Sequence, residues 1–247
     1  MLSLSSRALR NPPIFAIFTG IENKIMIRYD ICGGVEAFTA GRDEALPCPV
    51  VQAHQVHGCE IAVIDRPGVV REELEGYDAL MTDVPGVAIG VRTADCIPVL
   101  LYDPAHRAVA AVHAGWRGTL VGIVRAAISR MRREYGTSAE DLKAVIGPGI
   151  CRSCFQVGEE VVGAFRDAGF PMDGIYGWGG DRVEGDMRTG HHIDLPEANR
   201  LLLAEAGVRP GNIQVSGICT YETSSLYSAR REGRQCGRNI NAIMLLR

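Results

Sequence analysis

Cys96 and His113 each close an apolar run, in VAIGVRTADC and AVAAVH, and stand 17 residues apart. That separation suits two neighbouring buried strands joined by a short turn at Asp103-Pro104-Ala105-His106. Strand ends at a cleft are rigid places to present a metal ligand or a reactive thiol. A third candidate, His57, lies 39 residues before Cys96 in HQVHGCE. Together the three offer N, S and N donors, the set with which a catalytic zinc leaves its fourth position for water or substrate. Asp95 directly precedes the cysteine, and a carboxylate is expensive to bury without a role. It could orient a ligand or shuttle a proton. Trp116 and Arg117 follow His113 and bring a π-face and a fixed cation to the same edge. A metal-free alternative has Cys96 as nucleophile and His113 as base. Spacing leaves both readings open, since both need the sulfur as thiolate. His54 competes with His57, but on an extended strand the two would face opposite ways, so only one serves.

Other clusters carry weaker signals. Cys151-Arg-Ser-Cys154 is a CxxC that follows Gly147-Pro-Gly149. It has no second CxxC and no thioredoxin-like surroundings, so metal binding is not expected there. The two glycines read instead as letting backbone approach a ligand. Arg117, Arg230, Arg231 and Arg238 sit in glycine-flanked or strand-end segments. They read either as a solvated basic edge or as a clamp for phosphate or carboxylate, which the guanidinium fork matches. In the clamp, Arg117 comes first and Arg230 or Arg231 second. His191-His192 reads as a loop entering a strand, because adjacent side chains diverge. His106, in its Asp-Pro turn, reads as solvated.

The elements that must hold these groups are strand-rich. The chain of 247 residues is 47% hydrophobic and 22% charged, with a net charge of −3. That is enough chain for a sizeable core. The charge gives no reason to expect nucleic acid or an anionic membrane as partner. Eight cysteines without a small-domain rhythm read as reduced thiols of a cytoplasmic protein. Residues 1–25 read as an N-terminal extension, disordered or a start-site artefact, with Met26 as the true first residue. No run reaches the ~18 apolar residues of a membrane span. Strands are expected at 26–29, 35–39, 50–56, 60–65, 79–81, 87–92, 98–102, 109–112, 143–146, 192–195, 213–216, 226–229 and 240–246. An amphipathic helix spans 119–135, a short helical piece follows 137–140, and further helices cover 157–168 and 196–205. Asp194 caps the last of these, with Pro196 in its first turn. Residues 176–188 read as a loop or hairpin. Strands outnumber helices without βαβ alternation, which argues α+β with mixed sheets.

Several segments together resemble the laccase-like domain family, whose members go by polyphenol oxidase, purine nucleoside phosphorylase or peptidoglycan editing factor. They are HQVHG (54–58), DALMTDVPGVAIGVRTADCIPVLLYDP (78–104), AVHAGWRG (111–118), IGPGICRSCFQVGEEV (146–161), HIDLPEANRLLLAEAGV (192–208), ICTYE (218–222) and YSARREGRQCGRNI (227–240). The resemblance implies one domain over 26–247, a four-layer α/β/β/α sandwich, usually monomeric. It implies zinc at His57, Cys96 and His113. It implies phosphorolysis of adenosine, inosine, guanosine and 5′-methylthioadenosine, with inorganic phosphate as co-substrate, and deamination of adenosine in the same site. The rival readings are a hydrolase editing peptidoglycan precursors, a copper-dependent polyphenol oxidase, and a non-catalytic zinc-stabilised binding module. Copper is the poorer fit, because a blue-copper oxidase needs several HxH motifs and the six histidines form none. The chain departs from the family at 38–51, FTAGRDEALPCPVV, where an Arg-Gly-Gly-Ser loop and a longer connection are missing. Arg42 is the candidate to stand in for the loop arginine.

Overall fold

In a computed structural model, which describes residues 14–17, 24–179 and 190–247, two six-stranded sheets lie face to face. The first has the order β1 (Ile14–Ile17), β2 (Met26–Tyr29), β3 (Val35–Ala40), β15 (Asn239–Leu245), β7 (Ala88–Thr93), β4 (Val50–Gln52). The second has the order β14 (Ile213–Val215), β10 (Lys143–Ile146), β8 (Ile97–Asp103), β9 (Ala108–Ala114), β6 (Ala79–Thr82), β5 (Ile61–Val63). Each sheet is mixed: β4 joins β7 in parallel, as β5 joins β6 and β14 joins β10, while the other pairs are antiparallel. A small third sheet sets β13 (His191–Ile193) between β11 (Gln156–Val157) and β12 (Tyr176–Trp178). The α+β, mixed-sheet class expected from the sequence is the class that forms.

Strands β8 and β9 are buried along their whole length. Their sequences, IPVLLYD and AVAAVHA, run apolar on both faces because both faces are covered. One face of β9 (Ala108, Ala110, Val112, Ala114) packs toward the helices, and the other (Val109, Ala111) packs toward the first sheet. The helices α1 (Trp116–Leu120), α2 (Ile123–Tyr135), α3 (Glu159–Asp167) and α5 (Leu195–Glu205) contribute to the helix-side core. In α2 the buried Ile123, Val124, Ala127, Ile128 and Met131 form one stripe, off which the arginines fall. Burying Ile123 or Met131 contributes about 1.5–3 kcal/mol each.

Local chemistry decides where the observed elements differ from the expected ones. The helix expected over 119–135 is two helices, because Gly122 sits between them in the left-handed region at φ +75°. The helical piece after 137 is a hydrogen-bonded turn, with Asp141 N–H on the Ser138 carbonyl (3.1 Å). Residues 226–229 form no strand. The Ser228 hydroxyl accepts from Arg231 N–H (3.2 Å) and caps a short helix, α6 (Ala229–Glu232). Strand 50–56 stops at Gln52, and the chain turns at 54–58 instead. Asp194 caps α5 as expected, accepting from Glu197 N–H at 2.9 Å. Residues 14–17, placed in the extension by sequence, pair with β2. A short helix α4 (Met172–Ile175) leads into β12. The remainder of the expected loop or hairpin, 180–188, lies outside the described residues. Among the described residues no helix is long and apolar enough to cross a membrane.

Candidate metal centre

The β8–β9 register pairs Pro98 with His113, which sets the bend at 94–96 beside the end of β9. By strand alternation His113 shares the face of Val109 and Ala111, at the rim of the inter-sheet core. The turn after β4 brings in His57. The ligand atoms of His57, Cys96 and His113 all lie within 4.8 Å of one another. His113 is buried, Cys96 half-buried and His57 exposed, so the group opens to solvent on the His57 side. The two imidazoles meet edge to face with centroids 4.8 Å apart. His54, the rival, points to Glu75 (2.8 Å). His106 pairs with Asp103 (2.9 Å), half in solvent.

Asp78 builds this arrangement, and the sequence reading missed it. It is fully buried directly before β6. Its carboxylate accepts N–H bonds from Val56 (3.2 Å), His57 (2.9 Å) and Gly58 (2.7 Å), and from His113 Nδ1 (2.7 Å). Three consecutive amides can point at one carboxylate because His57 takes a left-handed conformation, φ +64°. The carboxylate thus fixes the His57 loop. It also holds His113 by Nδ1, so that Nε2 is the nitrogen left to serve a ligand, as partners behind metal-binding histidines do. The available signal was an acidic residue at the mouth of a fully buried strand, which must find donors.

The electrostatics follow from this packing. Burial pushes the Cys96 thiol up, but the charge and hydrogen bond of His113, with help from His57, outweigh it and bring the group to about 6. Burial would lower His113, yet Cys96 and Asp78 hold it up at about 9. Burial raises Asp78 too, and its bonds to His113 and the loop amides bring it below the usual carboxylate range. In metal-free protein Cys96 therefore exists as a thiolate at neutral pH. Its alkylation by iodoacetamide should reach half its plateau rate near pH 6, whereas Cys48, pushed up by burial, should need alkaline pH. Peptide mapping across a pH series reads this out, and a Cys96 profile centred above pH 8 would contradict it.

Gly115 forms the wall beside the donors. A Cβ there would come within 3.0 Å of His57 Cδ2 and 3.1 Å of Cys96 Sγ. Its φ of −68° suits any residue, so Gly115→Ala tests space alone. We expect a loss of about 1–3 kcal/mol in stability from overpacking and weakened metal binding. Thermal unfolding with and without zinc measures both. The donor set, the fixed tautomer and the space kept free at Gly115 fit a metal ion. One thiolate and two imidazoles suit zinc, and copper shares that set.

The remaining candidates separate cleanly. Asp95 turns away from the donors: its carboxylate accepts from the Thr220 hydroxyl (2.7 Å) and Arg230 N–H (2.6 Å). Gly149 lets a loop pack on this bend, since a Cβ would strike Ile97 Cδ1 at 2.3 Å and lie 3.2 Å from the Asp95 carbonyl. Arg230 donates to the carbonyls of Cys154 (3.1 Å) and Gln156 (2.9 Å). Arg231 donates to those of Thr220 (2.7 Å), Tyr221 (2.7 Å), Thr223 (3.3 Å) and Leu226. Arg238 likewise reaches the carbonyls of Gly237 and Arg234. Arg42 pairs with Glu232 (2.6 Å) over the Tyr227 ring. Arg117 is exposed and its guanidinium makes no hydrogen bond to a described residue; it stacks on Trp116 at 4.1 Å. His191 and His192 diverge as read, His191 toward Glu159 (2.7 Å) and His192 Nδ1 onto the Arg152 carbonyl (2.9 Å). The CxxC pair has a third partner that spacing did not show, Cys219, and these three sulfurs also lie within 4.8 Å of one another.

Residues 38–246 match the family model described as multi-copper polyphenol oxidoreductase laccase. The chain is 47% identical over 176 residues to a purine nucleoside phosphorylase of Bacteroides thetaiotaomicron, a match covering 71% of this chain and 63% of that protein. It is 43% identical over 202 residues to adenosine deaminase RL5 from an unknown prokaryotic organism, covering 78% and 74%. The crystal structure of YlmD from Geobacillus stearothermophilus superposes with a TM-score of 0.78 at 25% identity, covering 94% of this chain and all of that one. The chain thus spans less than two thirds of the Bacteroides protein while matching the YlmD fold throughout. By the extent of these matches, the chain belongs to the multi-copper polyphenol oxidoreductase laccase family.

Proposed function

We propose that this protein is a zinc-dependent purine nucleoside phosphorylase that also deaminates adenosine. The observation that carries the reading is the convergence of His57, Cys96 and His113 on one point, backed by Asp78, with Arg117 nearby in sequence and free to bind an anion. Relatives named for phosphorolysis and for deamination support it. Adenosine, inosine, guanosine and 5′-methylthioadenosine are the proposed nucleosides, and inorganic phosphate the co-substrate. A zinc ion held by the three donors would supply Lewis acidity and bring the pKa of a coordinated water to ~7.

The chain's own residues set up the rest. In phosphorolysis a phosphate oxygen bonds to C1′ of the ribose as the bond from C1′ to the purine nitrogen breaks, and the electron pair leaves with the base. The dianion must be held in line, and Arg117 is a guanidinium available to hold it. Asp78 keeps His113 in one tautomer and the His57 loop in one shape throughout. Asp95 holds the bend that carries Cys96. A second reading, Cys96 as nucleophile with His113 as base, rests on the low-pKa thiolate beside a protonated imidazole. Dependence of turnover on metal separates the two.

Adenosine and inosine incubated with and without phosphate test the assignment. Phosphate-dependent release of base with an equal amount of ribose-1-phosphate is expected. Base release at the same rate without phosphate would overturn it. Arg117→Met should raise KM for phosphate by about 10- to 100-fold, the loss of a charge-assisted bond of roughly 1.5–3 kcal/mol. Arg231→Met, which removes donors from several carbonyls, should instead lower the melting temperature.

A further inference from the structure

The Cys151, Cys154 and Cys219 cluster belongs to no part of the activity described above. Cys151 and Cys154 flank a single 3-10 turn, closed by Cys154 N–H on the Cys151 carbonyl (3.0 Å). Cys219 arrives from the segment after β14 through a parallel bridge to Gly149. Thr220 N–H on the Gly149 carbonyl (3.1 Å) and Gly149 N–H on the Ile218 carbonyl (3.3 Å) lock that bridge. Chain segments 65 residues apart thus bring three sulfurs to one point, within 4.8 Å of one another. Two sulfurs on a tetrahedral zinc at ~2.3 Å stand about 3.8 Å apart, so small side-chain adjustments suffice. All three cysteines are free thiols.

Backbone amides reach two of the three sulfurs. Cys151 N–H points at Cys219 Sγ (3.4 Å), and the amides of Glu222 and Cys154 point at the sulfurs of Cys219 and Cys151. Amide donors aimed at sulfur favour its charged form. Glu222 sets a carboxylate oxygen 3.7 Å from Cys154 Sγ, an oxygen donor at the edge of the cluster. Cys154 and Cys219 are buried and Cys151 half-buried, which leaves an approach on the Cys151 side.

We propose that Cys151, Cys154 and Cys219 form a second metal site, a structural one for zinc or a similarly soft divalent cation. It cross-links the 149–154 loop to the 218–222 segment. Those same segments hold the bend before β8: Ile150 N–H donates to the Asp95 carbonyl (2.9 Å) and the Thr220 hydroxyl to its carboxylate (2.7 Å). A metal here braces the backbone that positions Cys96 and supplies no group to the reaction.

Metal analysis of the full chain, stripped and then titrated with zinc, tests this. Wild type should bind two equivalents. Cys96→Ala should keep one, and Cys219→Ser should also keep one. Cobalt(II) is a second probe. Cys96→Ala leaves the three-sulfur cluster intact, so it should retain about three quarters of the sulfur-to-cobalt absorption of wild type, one thiolate of four being lost. This readout stands even if Cys219→Ser fails to fold. A single equivalent in wild type that vanishes in Cys96→Ala would overturn the proposal. So would fewer than eight free thiols in freshly isolated, metal-free protein, with mass spectrometry locating a disulfide within the cluster.

Discussion

Cys96→Ala is expected to abolish metal binding at the His57–Cys96–His113 centre and, with it, nucleoside turnover, while the protein stays folded. The sulfur is the donor of the three that is anionic at neutral pH, at about 6 against His113 at about 9. Losing a partner behind a ligand typically costs 10–100-fold in metal affinity, so losing the ligand itself should exceed about 100-fold. The fold should tolerate the change. Cys96 lies in a bend rather than in a ladder, is half-buried, and its neighbours Asp95 and Ile97 keep their own bonds and packing. Removing the thiolate also removes the charge that raises His113, so the imidazole should titrate lower in the variant. NMR of the histidine ring protons follows that shift. Retained metal at the centre with full turnover would show that the site lies elsewhere.

Asp78→Asn should be nearly as damaging and for a different reason. The carboxylate accepts four N–H bonds while fully buried, and an amide of the same shape has one acceptor oxygen and an NH2 that faces donors. Breaking a buried charged pair of this kind costs about 3–5 kcal/mol. The His57 loop loses what holds its left-handed turn, and His113 loses its fixed tautomer. Metal affinity should fall about 10- to 100-fold with turnover following it. The pH dependence gives a readout that mere destabilisation would not. Asp78 has its folded pKa below the unfolded one, so its contribution is present above the ordinary carboxylate range and disappears as pH falls through the depressed value. The stability of Asp78→Asn should therefore vary less with pH in acid than that of wild type. Denaturant unfolding at a series of acid pH values measures it, and equal slopes would contradict the role.

How much of this was legible in the sequence depends on range. The turn expected at Asp103-Pro104-Ala105-His106 between two apolar runs made the pairing of β8 with β9 readable, and that pairing sets Cys96 beside His113. His57 was readable as a turn residue before glycine. Asp78 was not, because a single acidic residue before a strand gives no local sign of four donors arriving from two distant segments. Cys219 was hidden for the same reason: a CxxC announces itself by spacing, and its third sulfur arrives through a bridge to Gly149. Arg230 and Arg231 resemble an anion clamp in sequence, yet their guanidinium groups donate to main-chain carbonyls around α6 and the third sheet. The strand expected at 226–229 failed because a serine cap competes with apolar composition, and the cap won.

The central claim is that phosphorolysis occurs at the His57–Cys96–His113 metal centre. Stripped protein titrated with zinc, assayed at each step for phosphate-dependent base release, tests it most directly. Turnover should rise with the equivalent that Cys96→Ala cannot bind and level off once that equivalent is filled. Full turnover in the stripped protein, unchanged by added zinc, would contradict the account and favour Cys96 acting with His113 as a metal-free nucleophile–base pair.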